Sequence, residues 1–379
     1  MSITKVTNDN IASLEASKLT GSLPAVDGSS LTNMSSFTKS ASDPATDTNP
    51  SGGTGTLWLN TTSGEMFALT DATTDANVWT NVGSGTGDVP KEFSPQGTEN
   101  GYTSGGRTPT AVNNIDKFSF ATDSNATDVG DLSETKSEIS GQSSNMNGYQ
   151  SGGGAQPRNK IEKFSFLSDG NSTVTASLAV GYTGLTGQSS STHGYTTGGE
   201  PNHNDIQKFT FAADNDATDV GDLTMGRHGC SGNSSLTHGY SCAGYTSSGN
   251  QQTRIDRFSF SSDGNAADVS DTTVGRWNVA GCDSTTHAYC SGGYAFPDTN
   301  VIDKFSFASE NPSSDVGDLT SSRNGSAGTS STTHGYVAGG TPSNSSNEHI
   351  ENFSFASDGN SVDTADLTLA RSYAAPHQY

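Results

Sequence analysis

"IDKFSF" occupies residues 115–120, and close copies follow at regular distances: "IEKFSF" from 161, "IQKFTF" from 206, "IDRFSF" from 255, "IDKFSF" from 302 and "IENFSF" from 350. Each is preceded by an aromatic-glycine element such as "GYTSGG" at 101 or "GYVAGG" at 335, and followed by a turn and a short acidic stretch such as "DVGDL". The segment between the Gly pair and the Ile varies in length, at 8, 7, 6, 10, 8 and 9 residues. Subtracting it from successive Ile spacings of 46, 45, 49, 47 and 48 leaves 39 every time. Self-similarity of this period points to a repeat architecture.

Four strands fit one such unit at ordinary strand and hairpin lengths. They are a, of the "RHGCSG" type; b, "GYxxGG"; c, the hexapeptide; and d, "DVGDL". On strand c the two Phe share one face while the Ile takes the other. A strand apolar on both faces must be covered on both sides, which radially stacked blades provide. Burying one Phe is worth roughly 1.5–3 kcal/mol, so Phe118, Phe164, Phe209, Phe258, Phe305, Phe353 and the second Phe of each copy are the expected inter-blade packing residues. The final "ARSYAAPHQY" matches the start of strand a, whereas the first copy lacks one of its own. An all-β, six-bladed β-propeller over residues 91–379 is therefore expected, its first blade completed by the C-terminal strand so that no edge stays open.

Composition agrees with many tight turns and a lean core: 45 Gly, 30% hydrophobic and 15% charged residues among 379. A formal net charge of −22 argues against a nucleic-acid partner, since phosphate binding needs a basic face. No run approaches the roughly 18–20 apolar residues of a membrane span, so no membrane insertion is expected. The N-terminus lacks the basic end and apolar run of a secretory signal.

The order Arg, aromatic, Gly-Gly, apolar strand resembles the kelch repeat over residues 101–379. Arg227, Arg276, Arg323 and Arg371 take the kelch-like basic position, with Lys136 and Tyr182 as substitutes. Copy four replaces the Gly pair by Ala243-Gly244, and the Trp of the kelch outer strand is absent.

The first hundred residues differ. Residues 1–50 read as an extended, short-helical segment, with Ile11, Leu14 and Leu19 on one stripe before Gly21 and Pro24 end it. Residues 51–90 read as a small β module, a hairpin and third strand around Trp58, Phe67 and Trp79. The motifs "NIASLEASKLTG", "DGSSL" and "GTLWLNTTSGEMF" resemble the virion-proximal part of bacteriophage tail-fibre proteins. That resemblance implies a homotrimeric fibre, made in the host cytoplasm, whose N-terminus docks on other virion proteins and whose propeller is displayed outward.

Strands alternate in direction, so b–c loops and d–a links share one face. All length variation falls in the b–c loops, and variable loops on a rigid scaffold are where binding sits. Tyr245, Tyr294 and Phe296 are the candidate stacking groups, with Arg107, Arg158 and Arg254 nearby; aromatic faces with polar neighbours suit sugars. For the repeated Arg positions, charge pairing between blades is the stronger reading. His193, His238, His287 and His334 recur before the strand-b Tyr, but no Cys or carboxylate completes a ligand set, so no metal and no cofactor are expected. Cys230 and Cys242 are placed to face one another across a hairpin, and Cys282 with Cys290 falls one residue off that register. A reducing cytoplasm favours free thiols. No nucleophile elbow, zinc signature or phosphate loop appears.

The expected role is a non-enzymatic virion protein of tail-fibre or receptor-binding type, its propeller contacting a host surface receptor or polysaccharide. A purely structural or decorating virion protein is the alternative, and a carbohydrate-active propeller enzyme a third.

Overall fold

The computed structural model describes residues 38–82, 93–122, 124–154, 156–341 and 347–379. Among them the chain is all-β without a helix, and it divides into two units, Met1–Lys91 and Glu92–Tyr379. Seven sheets form, an arrangement consistent with a β-propeller, where six blades were expected from the repeats. The difference is the first unit, whose segment closes into a four-stranded sheet of its own.

That sheet has the order β1 (Thr38–Ser40), β2 (Leu57–Asn60), β3 (Met66–Asp71) and β4 (Val78–Asn81), with β1 running parallel to β2 and the rest antiparallel. Phe67, Leu69 and Trp79 are its buried core, and Trp58 packs edge-on against Trp79 at 5.9 Å. The anticipated aromatic centre is thus present, with Leu69 added and with a first strand lying inside the stretch read as an attachment segment. The rest of that segment, residues 1–37, lies outside the described residues.

The other six sheets, I to VI, each carry one copy of the hexapeptide. Sheet IV is typical: a is Ser231–Ser234, b His238–Cys242, c Arg254–Ser259 and d Ala267–Asp271, antiparallel throughout. In sheet I the a strand is Ala375–Gln378 from the C-terminus, paired with Asn100–Ser104. The register of strand a sets Ser231 opposite Cys242 and Cys282 opposite Tyr289. Cys230 therefore does not face Cys242 as the hairpin spacing suggested, Cys282 lies one residue off Cys290, and all four thiols are free and buried.

Adjacent sheets interlock through aromatics. The strand-b Tyr of each sheet enters the Phe-x-Phe pair of the next: Tyr102 meets Phe164 and Phe166, and Tyr149 meets Phe209 and Phe211. Tyr195, Tyr240 and Tyr289 continue the series, and Tyr336 returns to Phe118 and Phe120. The Ile of strand c faces the opposite way, with Ile115 in the cluster that holds Phe164 and Phe166. The glycine before the Tyr has a steric reason: a Cβ on Gly194 would stand 2.4 Å from the Phe209 ring. Sheet V carries Ala288 there, and its Phe305 and Phe307 centroids are 6.3 Å apart, against 5.6–5.9 Å in the other five sheets.

The inner strands form closed circles. One runs through backbone alone: Gly184 N–H donates to Glu138 O, Gly229 to Gly184, Asn278 to Gly229, Gly325 to Asn278, Tyr373 to Gly325 and Glu138 to Tyr373, at 2.6–3.1 Å. Further along strand a the chains nearly touch, since a Cβ on Gly187 would lie 2.1 Å from Gly141 O and one on Gly141 would lie 2.0 Å from Pro376 O. Beyond it a third circle links backbone N–H groups to side chains of Ser189, Ser234, Asp283, Ser330, Gln378 and Ser143 in turn, at 2.7–3.2 Å.

The repeated basic position is a buried ion pair. Arg227 meets Asp256 at 3.3 Å, Arg276 meets Asp303 at 3.0 Å, Arg323 meets Glu351 at 2.9 Å and Arg371 meets Asp116 at 3.0 Å, all without solvent exposure. Lys136 does the same with Glu162 at 2.8 Å. The partner sits on strand c of the same sheet, so the pair fixes the incoming d–a link rather than joining two blades. In the Arg371, Arg276 and Arg227 sheets the carboxylate also accepts from the Thr that ends the preceding sheet: Thr368, Thr273 and Thr224. Sheet III lacks both charges. Tyr182 replaces the cation and Gln207 the anion, and Tyr182 Oη donates to Asp205 instead at 2.8 Å. Removing one partner alone would strand a buried charge. Arg276→Met is therefore expected to cost roughly 3–5 kcal/mol of stability, whereas Arg276→Tyr with Asp303→Gln, the combination sheet III carries, should cost far less. Urea denaturation measures both, and equal losses would overturn this account.

Candidate binding site at the axial mouth

The d–a links are held from two sides. A buried Arg anchors four of the links, with Lys136 and Tyr182 at the same place in the other two, and two residues later the chain enters the left-handed region in every sheet: Glu138 (φ 60°), Gly184 (62°), Gly229 (64°), Asn278 (55°), Gly325 (66°) and Tyr373 (58°). These residues make the backbone circle described above, and all six line a cavity of about 230 Å3 whose floor is the ring of strand-a glycines with Pro376. Glycine is the natural occupant of this conformation. Three sheets instead place a side chain there, and those three side chains stand at the mouth.

The residue just after each Gly pair is tied to the d–a link as well. Arg107 exchanges backbone hydrogen bonds with Ser372, Tyr245 with His228 and Tyr294 with Trp277. Gly154 and Glu200 donate to Ser137 and Thr183. Three of the sequence candidates, Arg107, Tyr245 and Tyr294, thus occupy one equivalent position of the repeat, fixed beside the mouth. The b–c loops vary in length only beyond it.

The walls differ in chemistry. Sheets IV and V supply an aromatic side: Tyr245 and Trp277 have centroids 5.2 Å apart at 36°, His228 packs edge-on to Trp277 at 5.5 Å, and Tyr294 meets Trp277 at 6.1 Å. Phe296 extends this cluster outward, 4.7 Å from Tyr294 and 62% exposed. Sheets I, II and III supply the polar side. Arg107 lies 3.5 Å from Glu138 and stacks 4.6 Å above the Tyr373 ring. Tyr373 Oη donates to Asn324 Oδ1 at 3.0 Å and accepts from Asn278 Nδ2 at 3.3 Å. Glu200 accepts from Thr183 Oγ1 at 3.1 Å and lies 3.7 Å from His228 Nε2. Burial pushes the Tyr373 hydroxyl pKa up, with Arg107 opposing and Glu138 reinforcing; burial pulls that of His228 down against Glu200, which favours a neutral imidazole.

The remaining candidates lie apart from these contacts. Arg254 is engaged by Asp268 at 3.0 Å and Thr224 at 3.1 Å on the side of strand d. Arg158 is half-buried, its backbone against Gly181 at the start of the sheet III link. The six Phe of the repeat are structural, as the interlock requires. His193, His238, His287 and His334 each bond the preceding Thr through Nδ1 at 2.8–2.9 Å. Trp277, His228, Glu138 and Tyr373 were not singled out by sequence reading. Their signal was positional: they occupy the first and second places after the basic residue.

The opposite end of the circle is filled. Gly97 N–H donates to Ser330 O at 2.8 Å and Gln96 Nε2 to Ser331 O at 2.9 Å, and Gln378 Nε2 bonds Pro95 O. Only a 60 Å3 space remains there, lined in part by Phe93, Ser94 and Pro95. No protein-family model matches this chain, and no curated protein matches its sequence.

Asp283, in the serine circle at this filled end, accepts from Asn233 Nδ2 at 2.8 Å and from Ser234 N–H at 2.9 Å, yet burial pushes its carboxyl pKa up to about 7 from 3.8. The unfolded chain gives up this proton more readily than the folded one. The group's contribution is therefore intact below the unfolded value and is lost as pH rises through about 7. Asp283→Asn should remove that slope, so that the variant gains on the wild type in unfolding temperature between pH 5 and pH 8. A difference that stays constant across that pH series would contradict this reading.

Proposed function

We propose that the chain is a non-enzymatic attachment protein of bacteriophage tail-fibre type: a six-bladed, kelch-like propeller carried on a virion-docking N-terminus and binding host-surface glycan. The observation that carries the reading is the inequality of the two ends of the ring. One end is stoppered by residues 93–97, while the other presents an aromatic wall facing a charged one. A scaffold that only spaced or capped a particle has no need of such asymmetry on an otherwise repetitive ring.

The N-terminal motifs quoted above support the virion assignment, and the first unit's small sheet suits packing about a symmetry axis. The reading places this protein on the particle as a homotrimer, with a mass in light scattering of three times the 39.0 kDa chain. The loops around Tyr294 and Phe296 take the part of a first contact with the cell, because Phe296 is a large apolar side chain held in solvent.

Adsorption tests this. The full-length chain, fluorescently labelled, is expected to sediment with bacterial cells that the parent particle infects, and free surface polysaccharide from those cells should compete. Tyr294→Ala with Phe296→Ala should abolish most of that adsorption while leaving the circular-dichroism spectrum and unfolding temperature in place. Undiminished adsorption by the folded double variant would overturn the assignment of the variable face, and absence of adsorption by the wild type would overturn the attachment function.

A further inference from the structure

We propose that the axial mouth is a binding site for a single uncharged pyranose ring, such as the terminal residue of a surface glycan. This rests on the attachment reading and gives it a specific pocket and ligand class.

The first argument is geometric. In the circle of sheets, IV and V lie across from I and II. Trp277 and His228 therefore face Arg107 and Glu138 across a cavity of about 230 Å3, with Tyr245 packed beside Trp277. Sugar recognition needs both sides: an aromatic plane to cover the apolar C–H face of the ring, and carboxylate or amide groups to accept from its hydroxyls. Glu138, Glu200 and Asn278 all line the cavity. Its volume falls below the ~300–1,000 Å3 of pockets that take drug-sized ligands, and the floor is sealed by the glycine circle. One ring fits there; an extended stretch of polysaccharide does not.

The second argument is strain. Glu138, Asn278 and Tyr373 hold left-handed backbone at a position where sheets III, IV and VI use glycine. Non-glycine residues in such conformations persist where surrounding structure over-determines them, and they cluster at ligand clamps. For Tyr373 and Asn278 the space is provided by a glycine neighbour. Tyr373 lies where a Cβ on Gly325 would be, 2.9 Å away, and Asn278 Oδ1 lies 2.7 Å from the corresponding point on Gly229. The ring thus carries side chains at half of its equivalent places and leaves room for them at the others.

Charge selects the ligand class. The Arg107 guanidinium is engaged by Glu138 and by the Tyr373 face, so an acidic sugar would have to break that pair. Glu200 and the net charge of −22 add repulsion. His228, kept neutral by burial, offers no compensating charge.

The chain reports on this site itself. Its three Trp are Trp58 and Trp79 in the first unit and Trp277 at the mouth, so a ligand that stacks on Trp277 changes fluorescence that Trp277→Phe removes. The full-length chain is titrated with methyl glucoside, methyl galactoside, methyl mannoside and methyl N-acetylglucosaminide, and with glucuronate and N-acetylneuraminate. At least one neutral glycoside is expected to give a saturable, Trp277-dependent change, with the acids binding about tenfold more weakly or worse. Glu138→Gly installs the repeat's own residue and should leave the unfolding temperature unchanged. It should weaken binding about tenfold, the worth of one lost charge-assisted hydrogen bond.

Tighter binding of either acid would overturn the ligand class. Absence of any saturable Trp277 signal, or full affinity in Glu138→Gly, would overturn the site. Failure here is separable from failure of the attachment function. Cell adsorption that survives Glu138→Gly and Trp277→Phe, alongside silent titrations, removes the axial site and leaves attachment through the outer loops standing.

Discussion

Closure is the constraint on which the second unit depends. Each sheet alone is a four-stranded ribbon whose central strand is apolar on both faces, and it has nowhere to bury them except against its neighbours. The Tyr of one sheet enters the Phe-x-Phe pair of the next, and the series completes only because Tyr336 finds Phe118 and Phe120. That last contact requires sheet I to be whole, which in turn requires the C-terminal strand Ala375–Gln378 beside Asn100–Ser104. An aromatic pair contributes about 0.5–1.5 kcal/mol beyond its buried area, so each contact in the cycle adds to the Phe burial that a chain with only 30% hydrophobic residues depends on. The backbone circle through Glu138, Gly184, Gly229, Asn278, Gly325 and Tyr373 obeys the same condition, since a missing sheet would leave a buried donor and a buried acceptor unpaired.

Within that frame, polar groups are buried only in complementary sets. Five sheets hold a cation against a carboxylate; the sixth, with Tyr182 and Gln207, holds neither. Loss of both charges together is what desolvation demands, because an unpaired buried charge costs more than the pair contributes. The outer edge follows a looser rule. Lys117, Lys163, Lys208 and Lys304 reach acids in the next sheet's c–d turn at 2.5–3.0 Å, but these pairs are partly exposed and worth little individually.

Much of this frame was legible in the sequence, because it follows from periodicity. The invariant 39-residue remainder gave the unit, the alternation of Ile and Phe gave the two faces of strand c, and the unmatched last segment gave the completing strand. A further regularity was also present in the letters. "DVGDL" occurs in copies one, three and five, and "SDGN" turns in copies two, four and six. A Cβ on Gly130, Gly221 or Gly317 would lie 2.2–2.3 Å from the carbonyl of Gly170, Gly264 or Gly359. Glycines on facing sheets thus appear together, and Ala176, Ser270 and Ala365 stand where the next turn has none. Alternation of this kind pairs the six sheets that carry the repeat two by two.

The site was harder to read because it consists of departures from the repeat. Loop length drew attention to Tyr294 and Phe296, but length alone says nothing about which loop residue turns inward. That is decided by the hydrogen bonds between the position after the Gly pair and the d–a link, which put Arg107, Tyr245 and Tyr294 in one class and leave Arg158 and Arg254 outside it. Likewise, the left-handed backbone at Glu138 and Tyr373 is invisible in sequence, since neither residue type advertises it. In a molecule held together by sixfold repetition, what serves the fold recurs, as the Phe pairs and buried cations do. Side chains that occur in some sheets, at a place where the backbone favours glycine, answer to a different requirement. The three around the axial cavity, Glu138, Asn278 and Tyr373, locate that requirement at the mouth.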